Sequence, residues 1–188
     1  QLGFCRLDAG LHIANISLHT GEEPIEGSEN GVCNVFFSHC NLRCCYCQNY
    51  QISQPQSVIR NEITDYEIAV NQIVAILQSG VKFLGFVSPT SHIPQMLSII
   101  EKVHEKGFSP KIIYNTNGYE NVETLRSLEG TVDIYLPDFK YANDSLAQRL
   151  SGIPNYCETA LSAIKEMYRQ KKEVISDENP ALIIRHLV

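Results

Sequence analysis

The sequence predicts an α/β fold built on a parallel sheet, and three observations point there. Past residue 30, short runs rich in β-branched and aromatic residues alternate with amphipathic helical stretches, the order that successive βα units produce. The 188 residues include 44% hydrophobic and 19% charged side chains, enough apolar material for a sizeable core and too little bias for a disordered or collagenous chain. That length exceeds a small domain and falls short of the roughly 200 to 250 residues of a complete eight-fold (β/α) barrel. No internal repeat and no stretch rich in Pro, Gly or Ser marks a boundary, so one domain is expected.

Strands are expected at residues 32–37, 81–87, 111–114, 132–136 and 182–188. The helix expected over 65–78 places Tyr66, Ala69, Val70, Ile73, Val74 and Leu77 on one face, with Thr64 and Glu67 at capping-box spacing. Helices over 94–106, 122–128 and 154–170 fill the remaining gaps. The last opens at Pro154, where a helix tolerates proline, and aligns Ala160, Leu161, Ile164, Met167 and Tyr168 in a stripe. Gly107 and Gly118 punctuate element ends. Residues 1–30 stand outside this rhythm as an N-terminal extension, with a loop over 20–30 around Gly21, Pro24 and Gly27, and residues 31–188 form the core domain.

The charge balance is 15 Lys plus Arg against 21 Asp plus Glu, a net of −6, which argues against a nucleic-acid partner held mainly through phosphate neutralisation. No run approaches the roughly 20 apolar residues of a membrane span, so no membrane partner is expected. No charged-then-apolar leader precedes Leu2, which gives no export signal and an expected cytoplasmic location, although Gln1 in place of Met leaves the natural start open.

Seven Cys is an odd count, and four of them, Cys40, Cys44, Cys45 and Cys47, fall within eight residues. This clustering suits thiolates converging on a metal centre in a reducing compartment better than disulfide stapling. The group follows an expected strand, at the strand end where parallel α/β folds build ligand sites. The C-x₃-C-x₂-C spacing of Cys40, Cys44 and Cys47 would satisfy three irons of a [4Fe–4S] cube and leave the fourth open. A closed zinc site takes four protein ligands, and His39 or Cys45 would be the fourth in that alternative. Cys45 would otherwise pack inward.

With Tyr46 before the last cysteine, this segment resembles the radical S-adenosylmethionine (SAM) superfamily. The wording Phe36-Phe37-Ser38-His39-Cys40-Asn41-Leu42-Arg43-Cys44, followed by Gln48-Asn49-Tyr50, is similar to the activating enzymes of pyruvate formate-lyase and their poorly characterised branch. The resemblance implies an incomplete (β/α)6 partial barrel with helices outside, lacking its last strand here, since a six-stranded member would continue past Val188. It implies Cys40, Cys44 and Cys47 as cluster ligands, with Tyr46 near the SAM adenine. It further implies reductive cleavage of SAM to a 5′-deoxyadenosyl radical, a flavodoxin or ferredoxin as electron donor, and hydrogen abstraction from a glycyl radical enzyme or a small molecule. A non-catalytic metal-binding or interaction module is the competing reading.

The motifs at the later strand ends carry the other candidates. Where the family has a Gly-Gly-Glu-Pro-like segment for the SAM amino group, this chain has Val87-Ser88-Pro89-Thr90-Ser91-His92, so Ser88 and Thr90 are the candidate acceptors. Ser91 reads equally as a helix N-cap, and His92 as a turn residue. Tyr114-Asn115-Thr116-Asn117-Gly118 resembles an Asp-Thr-Asn-Gly segment with Asn115 replacing the acid; Thr116 is a SAM candidate, and Asn117 is either that or a turn residue. Asp138-Phe139-Lys140 resembles the Asp-x-Lys motif of glycyl-radical activating enzymes, and the resemblance implies Asp138 beside a monovalent cation and Lys140 on SAM, with a surface ion pair as the alternative. Without one acid at position 115, weaker cation binding is expected. Arg185, inside an apolar run, needs a partner and shares a face with Ile183 and Leu187; the resemblance implies an Arg of this strand on SAM, which makes Arg185 a SAM candidate and His186 a lesser one. Gly3-Phe4-Cys5-Arg6 resembles the tail of an upstream cysteine-rich segment, and Cys157 is expected in the core.

Overall fold

Near-continuous apolar runs give strands that are buried on both faces, and four of the five expected runs form such strands. The computed structural model describes residues 7–21, 29–54, 56–176 and 180–186. Five strands, β1 (Ile13–His19), β2 (Val32–Phe37), β3 (Phe83–Val87), β4 (Lys111–Thr116) and β5 (Ile134–Pro137), lie in sequence order in one sheet. β2 to β5 are parallel, and β1 pairs antiparallel with β2. The helices are α1 (Tyr50–Ser53), α2 (Tyr66–Leu77), α3 (Ile93–Glu105), α4 (Val122–Ser127), α5 (Asp144–Ser151) and α6 (Tyr156–Lys171).

Two elements depart from expectation at the ends of the chain. β1 was not expected, because a bulge between Ile13 and Asn15 shifts its alternation from Leu11 and Ile13 to Ile16 and Leu18. The strand expected over 182–188 is instead two isolated parallel bridges, Leu182 to Tyr135 and Arg185 to Asp138. The Ile183 and Arg185 N–H groups donate to Tyr135 and Pro137, so the segment runs beside β5 without a continuous ladder. Leu187, Val188 and Cys5 lie outside the described residues.

Helix starts also differ in detail. Asp65, not Thr64, caps α2, its carboxylate accepting from the Glu67 and Ile68 N–H groups at 2.7 and 3.0 Å. Ser91 belongs to a single 3₁₀ turn over Pro89–Ser91, and His92 takes the cap position of α3 without a side-chain cap bond. α6 begins at Tyr156 after a left-handed Asn155, so Pro154 lies outside it. Its buried face is Tyr156, Ala160, Ala163, Ile164 and Met167, while Leu161 and Tyr168 point to solvent. Those two follow Ala160 and Met167 by one residue, about 100° around the helix. Cys157 on the same helix is only partly buried, and Cys45 is exposed. α5 went unforeseen because only Ala147 and Ser151 of its residues are buried.

Alternation along the strands sends side chains to two sides. Cys33, Val35, Phe37, Leu84, Phe86, Ile112, Tyr114 and Tyr135 meet α2, α3, α4 and α6 in the large core. Val32, Phe83, Ile113, Ile134 and Leu136 form a smaller cluster on the other side, joined by Ile183. Helices on one face and an open second face are the architecture of a partial barrel. Gly118 follows β4 with φ 82°, and a Cβ there would collide with the Asp138 carbonyl oxygen. Gly118→Ala is expected to cost about 2 kcal/mol or more in urea denaturation. A loss under about 0.5 kcal/mol would show that this approach does not constrain the chain.

Candidate functional site

The cysteine loop leaves β2 at Ser38 and folds over the C-terminal ends of the parallel strands. His39 turns it with φ 63°, its N–H bonded to the Ile52 carbonyl. Asn41 and Asn117 tie the loop to the turn after β4. Asn117 Nδ2 donates to Asn41 Oδ1 at 2.6 Å and Asn41 Nδ2 to the Tyr119 carbonyl at 2.9 Å. The last turn of α5 holds the other side, where the Ser151 and Leu150 carbonyls accept from the Arg43 and Cys45 N–H groups at 3.1 and 2.8 Å.

Each of the three motif sulfurs has polar neighbours. Cys40 Sγ receives the Leu42 N–H at 3.4 Å and the Asn117 amide at 3.5 Å. Cys44 Sγ receives the Ser151 hydroxyl at 2.9 Å, and Cys47 Sγ lies 3.2 Å from Ser53 Oγ. Burial pushes the Cys40 thiol up to about 11, and the nearby Cys44 and Cys47 add to that. Cys44 is raised by burial too, with the Ser151 hydroxyl and the Lys140 ammonium working against it. The three sulfurs therefore share one electrostatic neighbourhood, in which bound metal ions would replace the protons.

Among the described residues no three His, Cys, Asp or Glu side chains converge on the position of one metal ion. Tetrahedral thiolates about 2.3 Å from one zinc must nearly touch one another, whereas a cube spreads three thiolates over three iron corners. A soft, three-thiol donor set with amide and hydroxyl donors aimed at its sulfurs fits the cluster.

A second polar group gathers at the same end of the sheet. Asp138 Oδ2 accepts from Lys140 Nζ at 2.6 Å, and Asp138 Oδ1 from Arg185 Nε at 2.9 Å. Arg185 also donates to Asn115 Oδ1 at 2.5 Å. The Asp138 and Lys140 side chains are 20% and 13% exposed, so this is not a solvated surface pair. Four sequence-flagged residues from β4, the loop after β5 and the final segment thus meet. The Tyr156 hydroxyl braces them from below, donating toward the Asn117 and Asp138 carbonyls and accepting the Lys140 N–H.

Other candidates are placed differently. Thr90 and Thr116 both donate to Glu120 Oε1, on the helix side of the sheet, Thr90 at 2.6 Å. Ser88 sits in a left-handed conformation, its N–H bonded to the Asn115 carbonyl at 2.9 Å. Asn117 serves both the turn, accepting the Tyr119 N–H at 2.9 Å, and Cys40. The Tyr46 hydroxyl pairs with Tyr141 Oη at 2.5 Å. His186 Nδ1 lies 2.5 Å from the Phe139 carbonyl.

Three structural residues were not legible in the sequence as such. His92 is buried, stacked 4.4 Å from Phe37, and donates Nε2–H to the Ser38 carbonyl at 2.9 Å, fastening the base of the cysteine loop. Burial lowers its pKa to about 4, so it stays neutral. Ser151 carries no local signal for Cys44, which lies 107 residues away, and Glu120 joins Thr116, four residues before it, to Thr90, 30 residues before it. The Glu120 carboxyl faces the Thr90, Thr116 and Tyr114 hydroxyls, and among the described residues its Oε2 and the Tyr114 hydroxyl have no hydrogen-bond partner of normal geometry.

One end of this α/β sheet thus carries a three-thiol loop and a carboxylate clasped by two cations. The model of the Radical SAM superfamily matches residues 34–180. An uncharacterized protein of Methanocaldococcus jannaschii is 33% identical over 195 aligned residues, covering 100% of this chain and 52% of that protein. The chain belongs to the radical SAM superfamily. It spans about half the length of that relative. Membership implies SAM-dependent radical chemistry, with a [4Fe–4S] cluster and SAM as cofactors.

Burial pushes the Glu120 carboxyl up to about 7 from 4.5, against the pull of its Thr116, Thr90 and Tyr114 neighbours. The folded protein then keeps a proton that the unfolded chain loses. Stability from this group is full below about pH 4.5 and falls as pH rises to about 7. Glu120→Gln removes that fall. Relative to wild type, the variant is expected to gain ~3 kcal/mol between about pH 4 and pH 8 in urea denaturation, and a pH-independent difference would contradict a buried, neutral Glu120.

Proposed function

We propose that this chain carries the catalytic core of a radical SAM enzyme that cleaves SAM reductively and passes the radical to a protein partner. The observation that supports the proposal is the nearness of the Cys40–Cys44–Cys47 loop to the Asn115–Asp138–Lys140–Arg185 group: Tyr156 bridges the Asn117 and Asp138 carbonyls, Asn117 reaches Cys40, and the Lys140 charge acts on Cys44. Cys40, Cys44 and Cys47 would hold three irons of the cluster. Bound and reduced, the cluster supplies the electron that divides SAM into methionine and a 5′-deoxyadenosyl radical.

The chain's own residues bind and orient. Arg185 and Lys140 present cationic donors for the SAM carboxylate. Neutral oxygens, the Asn115 side chain and the Ser88 hydroxyl, take the ammonium hydrogens that a carboxylate takes elsewhere in the family. Thr90 and Thr116 support this end of the site through Glu120 rather than through SAM. Tyr46 lies beside Cys47 as the adenine neighbour. Lys140 and Arg185 already supply two positive charges to Asp138, so they stand where a monovalent cation would.

Hydrogen abstraction from a glycyl Cα is the substrate reading, supported by the Asp138-x-Lys140 spacing, with a flavodoxin or ferredoxin as donor. Among the described residues no helix is long and apolar enough to cross a membrane.

Anaerobic loading with iron and sulfide, then dithionite and SAM, is expected to yield 5′-deoxyadenosine and methionine in equal amounts. Cys44→Ala should lose the cluster absorbance. A loaded wild-type protein that releases neither product would leave only a non-catalytic module. One zinc bound by four protein ligands would replace the cluster reading altogether. A glycyl-radical doublet on a co-purifying partner would support the substrate class, and turnover without one would redirect it to a small molecule.

A further inference from the structure

Cys44 is the end of a chain of hydroxyl groups. Ser151 Oγ lies 2.9 Å from Cys44 Sγ, Tyr141 Oη 2.5 Å from Ser151 Oγ, and Tyr46 Oη 2.5 Å from Tyr141 Oη. Ser151 is fully buried and Tyr141 nearly so, whereas the Tyr46 ring is 40% exposed, so the chain runs from the surface to the sulfur. Tyr141 packs edge-on against Tyr156, which fixes its ring.

Each hydroxyl has one proton to give. A cysteine sulfur that ligates iron has none, so it can only accept, and Ser151 must spend its proton there. Tyr141 must then donate to Ser151, and Tyr46 to Tyr141. Ligation at Cys44 thus fixes the direction of all three bonds, and aligned bonds of this kind polarise one another.

We propose that Ser151, oriented by Tyr141 and Tyr46, is a positioning residue that sets the reduction potential of the cluster through the Cys44 sulfur. This inference rests on the cluster reading of the preceding section. A hydrogen bond to a ligating thiolate draws electron density from it and stabilises the more negative, reduced form, which raises the potential of the one-electron couple. The position of Ser151 supports the role, because the same helical turn also receives the loop N–H groups of Arg43 and Cys45. Sulfur and hydroxyl are therefore held by one contact.

The test is a dithionite titration, followed by electron paramagnetic resonance, of anaerobically loaded wild type, Ser151→Ala, Tyr141→Phe and Tyr46→Phe. Ser162→Ala, exposed on α6, is the control. Equal iron and sulfide content is expected in all, with the midpoint shifted to more negative potential in the order Ser151→Ala, then Tyr141→Phe, then Tyr46→Phe. A loaded Ser151→Ala protein with the wild-type midpoint overturns the inference and leaves the cluster reading intact. If Ser151→Ala binds no cluster, Tyr141→Phe decides, since it keeps the serine in place, and an unchanged midpoint there overturns the inference. A wild-type protein that binds no cluster overturns the reading beneath it, and the inference falls with it.

Discussion

Arg43 and Cys45 donate their backbone N–H groups to the last carbonyls of α5, and the shape of the cysteine loop depends on that contact. A loop without ladder or helix still carries one donor per residue, and each needs an acceptor once shielded from water. A helix end carries carbonyls with no donor of their own. The loop and α5 therefore complete each other. Asn143 starts this short helix by accepting the Ser145 and Leu146 N–H groups, and Gly152 stops it in a left-handed conformation that a Cβ would strain. What lies between is mostly solvated, so the helix matters chiefly for its final turn, where Ser151 reaches Cys44.

The sheet separates two carboxylates of opposite character. Tyr114 and Thr116 on β4 point toward the helices, and there Glu120 is buried among hydroxyl groups with no cation beside it among the described residues, so that burial holds its proton near neutrality. Asn115, between them, points the other way. On that side Asp138 is clasped by Lys140 and Arg185. A buried acid without a cation is suited to fastening loops, and Glu120 joins the turn after β3 to the turn after β4 through Thr90 and Thr116. A carboxylate with cations beside an open strand end is suited to meeting a zwitterion.

Local features were legible in the sequence and remote ones were not. The spacing of Cys40, Cys44 and Cys47, the Asp138-x-Lys140 pair and the facing of Arg185 all follow from neighbours a few residues apart. The structure gathers the last two with Asn115. Ser151 lies 107 residues from Cys44, and Thr90 lies 30 from Glu120, so no window of sequence could join them. Thr90 and Thr116 were legible as polar residues near strand ends, but alternation turns Thr116 toward the helices, and both hydroxyls donate to Glu120 there. β1 was hidden by its bulge, and residues 182–186 were overread because an apolar run beside β5 looks like a strand even where only two bridges form.

As proposed, Cys40, Cys44 and Cys47 would hold three irons and leave a fourth open to SAM beside Asn115, Lys140 and Arg185. Mössbauer spectroscopy of protein loaded with iron-57, with and without SAM, addresses this arrangement most directly. A four-iron cluster in which one site alone changes on adding SAM is expected, with that change lost in Arg185→Ala. Four irons that respond alike, or not at all, would contradict it.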